Sequence, residues 1–331
     1  MNLLYLIGNG FDVNLKIRTD YQSFYDYYIA QESADDAVKL VKEDLKKNRY
    51  AQWSDLELGL GKFTSQLKDI NELRTIYYDI NTLLKFYLTE TYNKRIAELD
   101  KQDLTDSLIN YLIHPDKVFN ARAQKSIKNF FSTYANSNDV VDIITFNYTN
   151  TIEHLLKLKT NPSSLILGKN IKSLPVKFGN VYHIHGKLSD NDLILGVNDI
   201  SQIANEDFRS MEMASYLMVK PSITEERGDL LDDNCDRLIT HANLIALFGL
   251  SIGETDNKWW DIISRRMRAE VHCIVLYYAY DNNNYTHDAD IFHHQSELKN
   301  MILSKLGLKD IAGMANRVFV AYKSGMFDLI I

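Results

Sequence analysis

Near the start of this 331-residue chain, five apolar residues in a row, Leu3-Leu4-Tyr5-Leu6-Ile7, run directly into Gly8-Asn9-Gly10. An uninterrupted apolar run of strand length fits a strand covered on both faces, and such strands belong to parallel sheets sandwiched by helices. Further short runs bounded by turn or polar residues lie at 140–144, 181–184, 193–195, 244–248 and 271–278. Between the first two, residues 19–134 change to helical spacing rich in tyrosine, as in Leu83, Leu84, Tyr87 and Leu88. Residues 200–241 read as a long helical stretch and 256–270 as an amphipathic helix. Strands alternating with helices predict an α/β fold: a mostly parallel sheet with helices on both faces and a large helical insertion after the first strand. The expected organisation is a single domain over 1–331, with an α/β core at 1–18 and 136–331 and the insertion at 19–135.

With only 14 glycines and 4 prolines, the chain has little material for flexible linkers, which favours one domain. A formal charge of −7 argues against nucleic acid as a partner, because a phosphate backbone calls for a basic face. Arg265, Arg266 and Arg268 accordingly read as a solvated helix face. Two cysteines, Cys235 and Cys273, can build neither a disulfide framework nor a cysteine-rich zinc site, and they read as reduced thiols. The opening apolar run has no basic leader and is far too short to span a bilayer. The expectation is a soluble, cytoplasmic protein without membrane contact. At the other end, Phe327, Leu329, Ile330 and Ile331 read as a packed final strand or a partner contact.

Four motifs fall at the ends of expected strands. In Gly8-Asn9-Gly10-Phe11-Asp12, two glycines permit a tight turn and let backbone N–H groups approach a phosphate. Val13 stands where the dinucleotide fingerprint has its third glycine. Thr145-Phe146-Asn147-Tyr148-Thr149-Asn150 serves either as a helix start or as a ligand platform. His183-Ile184-His185-Gly186 closes the next strand, and alternation places both histidines on one face. Phe248-Gly249-Leu250-Ser251-Ile252-Gly253-Glu254-Thr255-Asp256 sets small residues and hydroxyls where a backbone can wrap a ligand. Each motif alone has an ordinary account as a turn, a helix cap or a core histidine. Together they fall where open α/β sheets bind ligands, beyond the carboxyl ends of the strands, with Asn147 and His185 facing one crevice. Ser54 or Asp55 is expected to cap a helix whose first turn carries Glu57. His293 and His294 read as exposed surface.

Through GNGFD at 8–12, WSDLE at 53–57, TFNYT at 145–149, HIHG at 183–186 and FGLSIGETD at 248–256, the sequence resembles the AbiH family of bacterial phage abortive-infection proteins. The same order of motifs is similar to a remote, Rossmann-like version of the sirtuin fold. That resemblance implies NAD as substrate and cleavage of its nicotinamide–ribose bond. Asn147 and His185 match the sirtuin-like catalytic pair, while Gly8, Gly10, Gly249 and Ser251 match groups that touch phosphates and ribose. Asn9, Phe11, Asp12 and Asp256 complete the expected nucleotide-binding set. No paired Cys-x-x-Cys motifs exist for a zinc ribbon, and Phe11-Asp12 replaces the long sirtuin loop, so the implied activity is NAD hydrolysis in a growth-arresting defence response and not protein deacetylation.

The chemistry asks little of the protein, because nicotinamide is cationic in NAD and departs neutral. Orienting the ribose, stabilising an oxocarbenium-like state and delivering water suffice. Asn147 is suited to hold the water or a ribose hydroxyl, and His185 to accept a proton. Asp12 or Asp256 is suited to contact ribose hydroxyls or to balance positive charge. Glu57 reads as a solvated or capping residue unless its helix folds over the crevice. A second reading is a nucleotide sensor without turnover, in which the crevice binds NAD, ADP-ribose or a signalling nucleotide and the helical insertion reports occupancy to a partner; separately, the tyrosine-rich insertion offers an interface for a homo-oligomer or a defence-system partner protein. A third is a metal-dependent nuclease or phosphohydrolase built from His183, His185, Asp12 and Asp256; no metal is expected on the main reading.

Overall fold

In the computed structural model, the described residues are 1–134, 136–158, 165–170, 173–228, 230–269, 272–279, 285–322 and 325–329. The apolar run at the amino terminus forms β1 (Asn2–Ile7), the centre of a seven-stranded sheet. On one side lie β2 (Asp139–Thr145), β4 (Pro175–His183) and the edge strand β3 (Ile166–Lys169); on the other lie β5 (Leu244–Phe248), β6 (Ile274–Ala279) and β7 (Val318–Tyr322). All neighbouring pairs are parallel except β3 with β4. The fold is therefore mixed α/β with a mostly parallel sheet, as expected.

Pleating explains why β1 is apolar from Leu3 to Ile7. Leu3, Tyr5 and Ile7 enter a core on one face, and Leu4 and Leu6 enter another on the opposite face. The helices are α1 (Gly10–Asn14), α2 (Tyr21–Ala30), α3 (Asp36–Asn48), α4 (Leu56–Phe63), α5 (Ile70–Leu99), α6 (Thr105–Ile113), α7 (Ala121–Thr133), α8 (Thr151–Leu155), α9 (Glu206–Arg209), α10 (Glu212–Met218), α11 (Lys220–Arg227), α12 (Leu231–His241), α13 (Asn257–Ala269) and α14 (Asp288–Lys305). Leu108 of α6, Leu112 of α6 and Ile127 of α7 cover the first face. Ile239 of α12, Trp260 of α13 and Ile302 of α14 cover the second, together with both cysteines, which are buried.

A third core joins α2, α3, α4 and α10 to the amino-terminal half of α5. Leu73, Ile80 and Leu88 of α5 belong to it, whereas Tyr92, Ile96 and Leu99 reach the sheet. At 30 residues, α5 is about 45 Å long, enough to act as a common spine.

Several expectations change. Residues 193–195 form no strand; Leu193 and Leu195 are buried in the helical core. Their apolar run reflects insertion between helices, which periodicity cannot distinguish from a short strand. The stretch 200–241 is broken by the Asn205 cap, by Pro221 in the first turn of α11, and by Gly228 in a left-handed C-cap. Phe327 and Leu329 are buried without strand structure; Phe327 meets Phe11 and Phe248 edge-on. Val271, Glu270, Ile330 and Ile331 lie outside the described residues. His293 is exposed, but His294 packs against Tyr285 and Tyr322, because adjacent positions on α14 point apart and one faces β7. Among the described residues, no helix is long and apolar enough to cross a membrane.

Candidate active site

The loops leaving β1, β2, β4 and β5 converge at the carboxyl edge of the sheet around a cavity of about 700 Å³. Of the residues singled out in the sequence, Gly8, Asn9, Gly10, Asp12, Asn147, His185, Gly249, Ser251 and Asp256 line it, and so does Glu57. Phe11 does not. Its ring is fully buried beneath the loop, against Phe248 and Phe327.

The glycines have a local physical reason. A Cβ on Gly10 would stand 2.5 Å from the Gly249 Cα, and Gly249 itself has a φ of +67°. The two loops thus touch backbone to backbone, which no larger residue permits. Gly8 N–H donates to the Phe248 carbonyl (2.9 Å) and Gly10 N–H to the Gly249 carbonyl (3.0 Å). Both donors expected to cradle a phosphate are therefore committed to holding the loops together. Asn9 is tied to Thr19, donating to its carbonyl at 3.2 Å and accepting from its hydroxyl.

Asp12 is fully buried at the base of the cavity. Thr149 Oγ1 donates to its Oδ2 at 2.5 Å, Thr151 donates in turn to Thr149, and Asp12 Oδ1 has no partner. Burial pushes its carboxyl up to about 6 despite the threonine hydroxyls. The carboxamide oxygen of Asn147 is likewise buried without a partner.

His185 stands edge-on to Phe146 and beside Tyr148. Its Nε2 lies 3.0 Å from Asp256 Oδ1 and 3.3 Å from Lys220 Nζ. Lys220 in turn donates to Asp256 Oδ1 (2.9 Å) and Glu57 Oε2 (2.7 Å), and Glu57 Oε1 accepts from Gly196 N–H at 3.2 Å. Burial raises the Glu57 carboxyl, offset in part by Lys220 and His185. Burial also works against ionised Asp256, but Lys220 and His185 outweigh it and hold that carboxyl well below its ordinary range. For Lys220, the two carboxylates outweigh desolvation and keep the ammonium charged.

Asp55 caps α4, accepting from Glu57 N–H (2.9 Å) and Leu58 N–H (3.0 Å), and so fixes the turn that carries Glu57. Glu57 is 4% exposed, so the reading of it as solvated gives way to the alternative in which its helix closes over the crevice. Lys220 was not legible as a site residue. In retrospect the one signal is a cation immediately before the proline at a helix start, where the macrodipole disfavours positive charge.

β4 ends at His183, and His185 already lies in the following turn. Strand alternation therefore does not relate the two histidines, and their rings engage different partners. His183 Nδ1 donates to the Asn147 carbonyl (2.9 Å), and its Nε2 faces Glu153 Oε1 (2.8 Å). Among the described residues, no three His, Cys, Asp or Glu side chains group so as to hold a metal; His183, His185, Asp12 and Asp256 do not converge.

The fold and cavity define a class: a mostly parallel α/β protein with a buried polar site across the carboxyl ends of its central strands, roofed in part by an inserted helix. Within that class, the chain belongs to the bacteriophage abortive infection AbiH family, whose model matches residues 4–278. All four members of the His185–Asp256–Lys220–Glu57 cluster lie inside that span. No curated protein matches the chain.

Proposed function

We propose that this protein acts in abortive infection against bacteriophage by binding NAD in the carboxyl-edge cavity and hydrolysing its nicotinamide–ribose bond. The observation that carries the reading is the charge and geometry of the His185 cluster. With His185 neutral, one ammonium and two carboxylates leave a net charge of −1 in a buried site. Such a site favours a transition state that develops positive charge on the ribose. The proposed tautomer has His185 Nε2–H facing Asp256 Oδ1 (3.0 Å) and the Nδ1 lone pair accepting a proton.

In the proposed step, water attacks the ribose C1′ and gives its proton to His185 Nδ1. The C1′–N bond breaks with its electron pair passing to the pyridinium nitrogen, releasing neutral nicotinamide and ADP-ribose. Asn147 orients the water or a ribose hydroxyl. Lys305 of α14 lines the cavity and supplies a cation for the pyrophosphate. The fold is taken as Rossmann-like and sirtuin-like. In support, the chain builds outward from β1 through β2 to β4, then reverses to β5 on the other side, and the cavity opens at that reversal, where nucleotides bind in doubly wound sheets.

A second reading, a nucleotide sensor, draws on the buried Glu57–Lys220 pair, which ties the inserted helix α4 to α11. The test is calorimetric titration of NAD into wild type, Asn147→Ala and His185→Ala, with products resolved by chromatography. Retained binding with lost product in His185→Ala supports the enzyme; binding in wild type without product favours the sensor; absence of binding in wild type contradicts the enzyme and rules out NAD as the sensor's ligand.

A further inference from the structure

Asn147 is held in an unusual way. Its backbone N–H donates to Thr145 Oγ1 (3.1 Å), and that hydroxyl donates onward to the Ile7 carbonyl at the end of β1 (3.2 Å). Its backbone carbonyl accepts from His183 Nδ1 (2.9 Å). Side chains thus satisfy both backbone groups of the residue and hold the peptide on which the Asn147 carboxamide is mounted.

His183 has no capacity left for anything else. The ring is 3% exposed, does not line the cavity, and spends its second nitrogen on Glu153 Oε1 at 2.8 Å. Lys187 Nζ reaches the same Glu153 oxygen at 3.2 Å. Burial works against the Glu153 carboxylate, but His183 and Lys187 outweigh it and hold its carboxyl down to about 2. The carboxylate therefore stays ionised and keeps the imidazole oriented, as an orienting partner does for a histidine elsewhere. Glu153 comes from α8, so the brace runs from β4 through α8 back to the loop after β2.

We propose that His183, braced by Glu153, is a positioning residue that fixes the Asn147 carboxamide at the cavity. The functional part rests on the reading of Asn147 as a participant in NAD hydrolysis. It accounts for the first histidine of the HIHG motif, which has no other role at the site.

Two measurements test it. The side-chain amide signal of Asn147, followed in asparagine-labelled protein and assigned by its loss in Asn147→Ala, should shift or broaden in His183→Phe and recover in His183→Gln, which keeps a donor. In turnover of NAD, His183→Phe should lower kcat about tenfold in the wild-type background and less than about twofold in Asn147→Ala, because residues acting as one unit are not additive. An unmoved Asn147 signal in folded His183→Phe overturns the proposal, as does an equal loss in both backgrounds. Should His183→Phe not fold, Glu153→Leu, which removes the brace and leaves His183 in place, is read in the same two ways. If wild type does not cleave NAD, the hydrolase reading falls while the amide spectra still decide the positioning role.

Discussion

Asp12 shows how far a single carboxyl can depart from its sequence reading. Its carboxyl lies near 6 against an ordinary 3.8 because burial penalises the charge. A folded value above the unfolded one means that the stabilising contribution is full below about pH 3.8 and is lost as pH rises through 6. Asp12→Asn keeps an acceptor for Thr149 and removes the buried charge. It is expected to raise stability at pH 8 by on the order of 2 kcal/mol and to flatten the pH dependence between 4 and 6 in denaturant titrations. An equal effect at pH 4 and pH 8 would show that Asp12 is not the titrating group. Lys220 makes the opposite case. Lys220→Met leaves Glu57 and Asp256 buried without their ammonium and should cost about 3–5 kcal/mol. Thermal unfolding of Lys220→Met with Glu57→Leu added should recover part of that loss; if the double variant is no better, the pair is not coupled. Asn147, His185 and Asp256 were legible because they sit in loops directly after apolar strands. Lys220 was not, since a lysine within a helical run carries no mark of its partners.

At the scale of elements, α4 matters most to the site, because its first turn carries Glu57 to the cluster. Asp55 supplies the two capping bonds that fix that turn. Asp55→Ala should cost about 1 kcal/mol, and hydrogen exchange should speed up locally in residues 56–59; protection unchanged there would mean that the cap does not hold the helix. The strands β1 and β5 could be read from sequence because burial on both faces leaves uninterrupted apolar runs, and β2 because its apolar run is broken only by Asp142. β3 could not, being a short edge strand with an exposed Ile166. β7 was not among the expected strands although its run Val318–Tyr322 is apolar throughout and fits the same pattern. The run at 193–195 misled for the complementary reason: three apolar residues packed under helices look like a buried strand.

At the scale of the whole molecule, α5 ties the helical core to the sheet, so the inserted helices and the site-bearing loops share one packed structure. The insertion was legible as helical, and Glu57 as a residue that reaches the crevice only if its helix closes over it; its link to Asp256 through Lys220, 163 positions further along the chain, was not legible. The convergence of four strand-end loops followed from the rule for parallel sheets; the buried charge cluster that gives the cavity its chemistry depends on tertiary contacts that no local pattern records. The most direct measurement is the release of nicotinamide from NAD by purified wild-type protein, compared with His185→Ala. The account predicts nicotinamide and ADP-ribose in equal amounts from wild type and a fall of about 10²-fold or more in the variant. Nicotinamide released at the same rate by both proteins would contradict it.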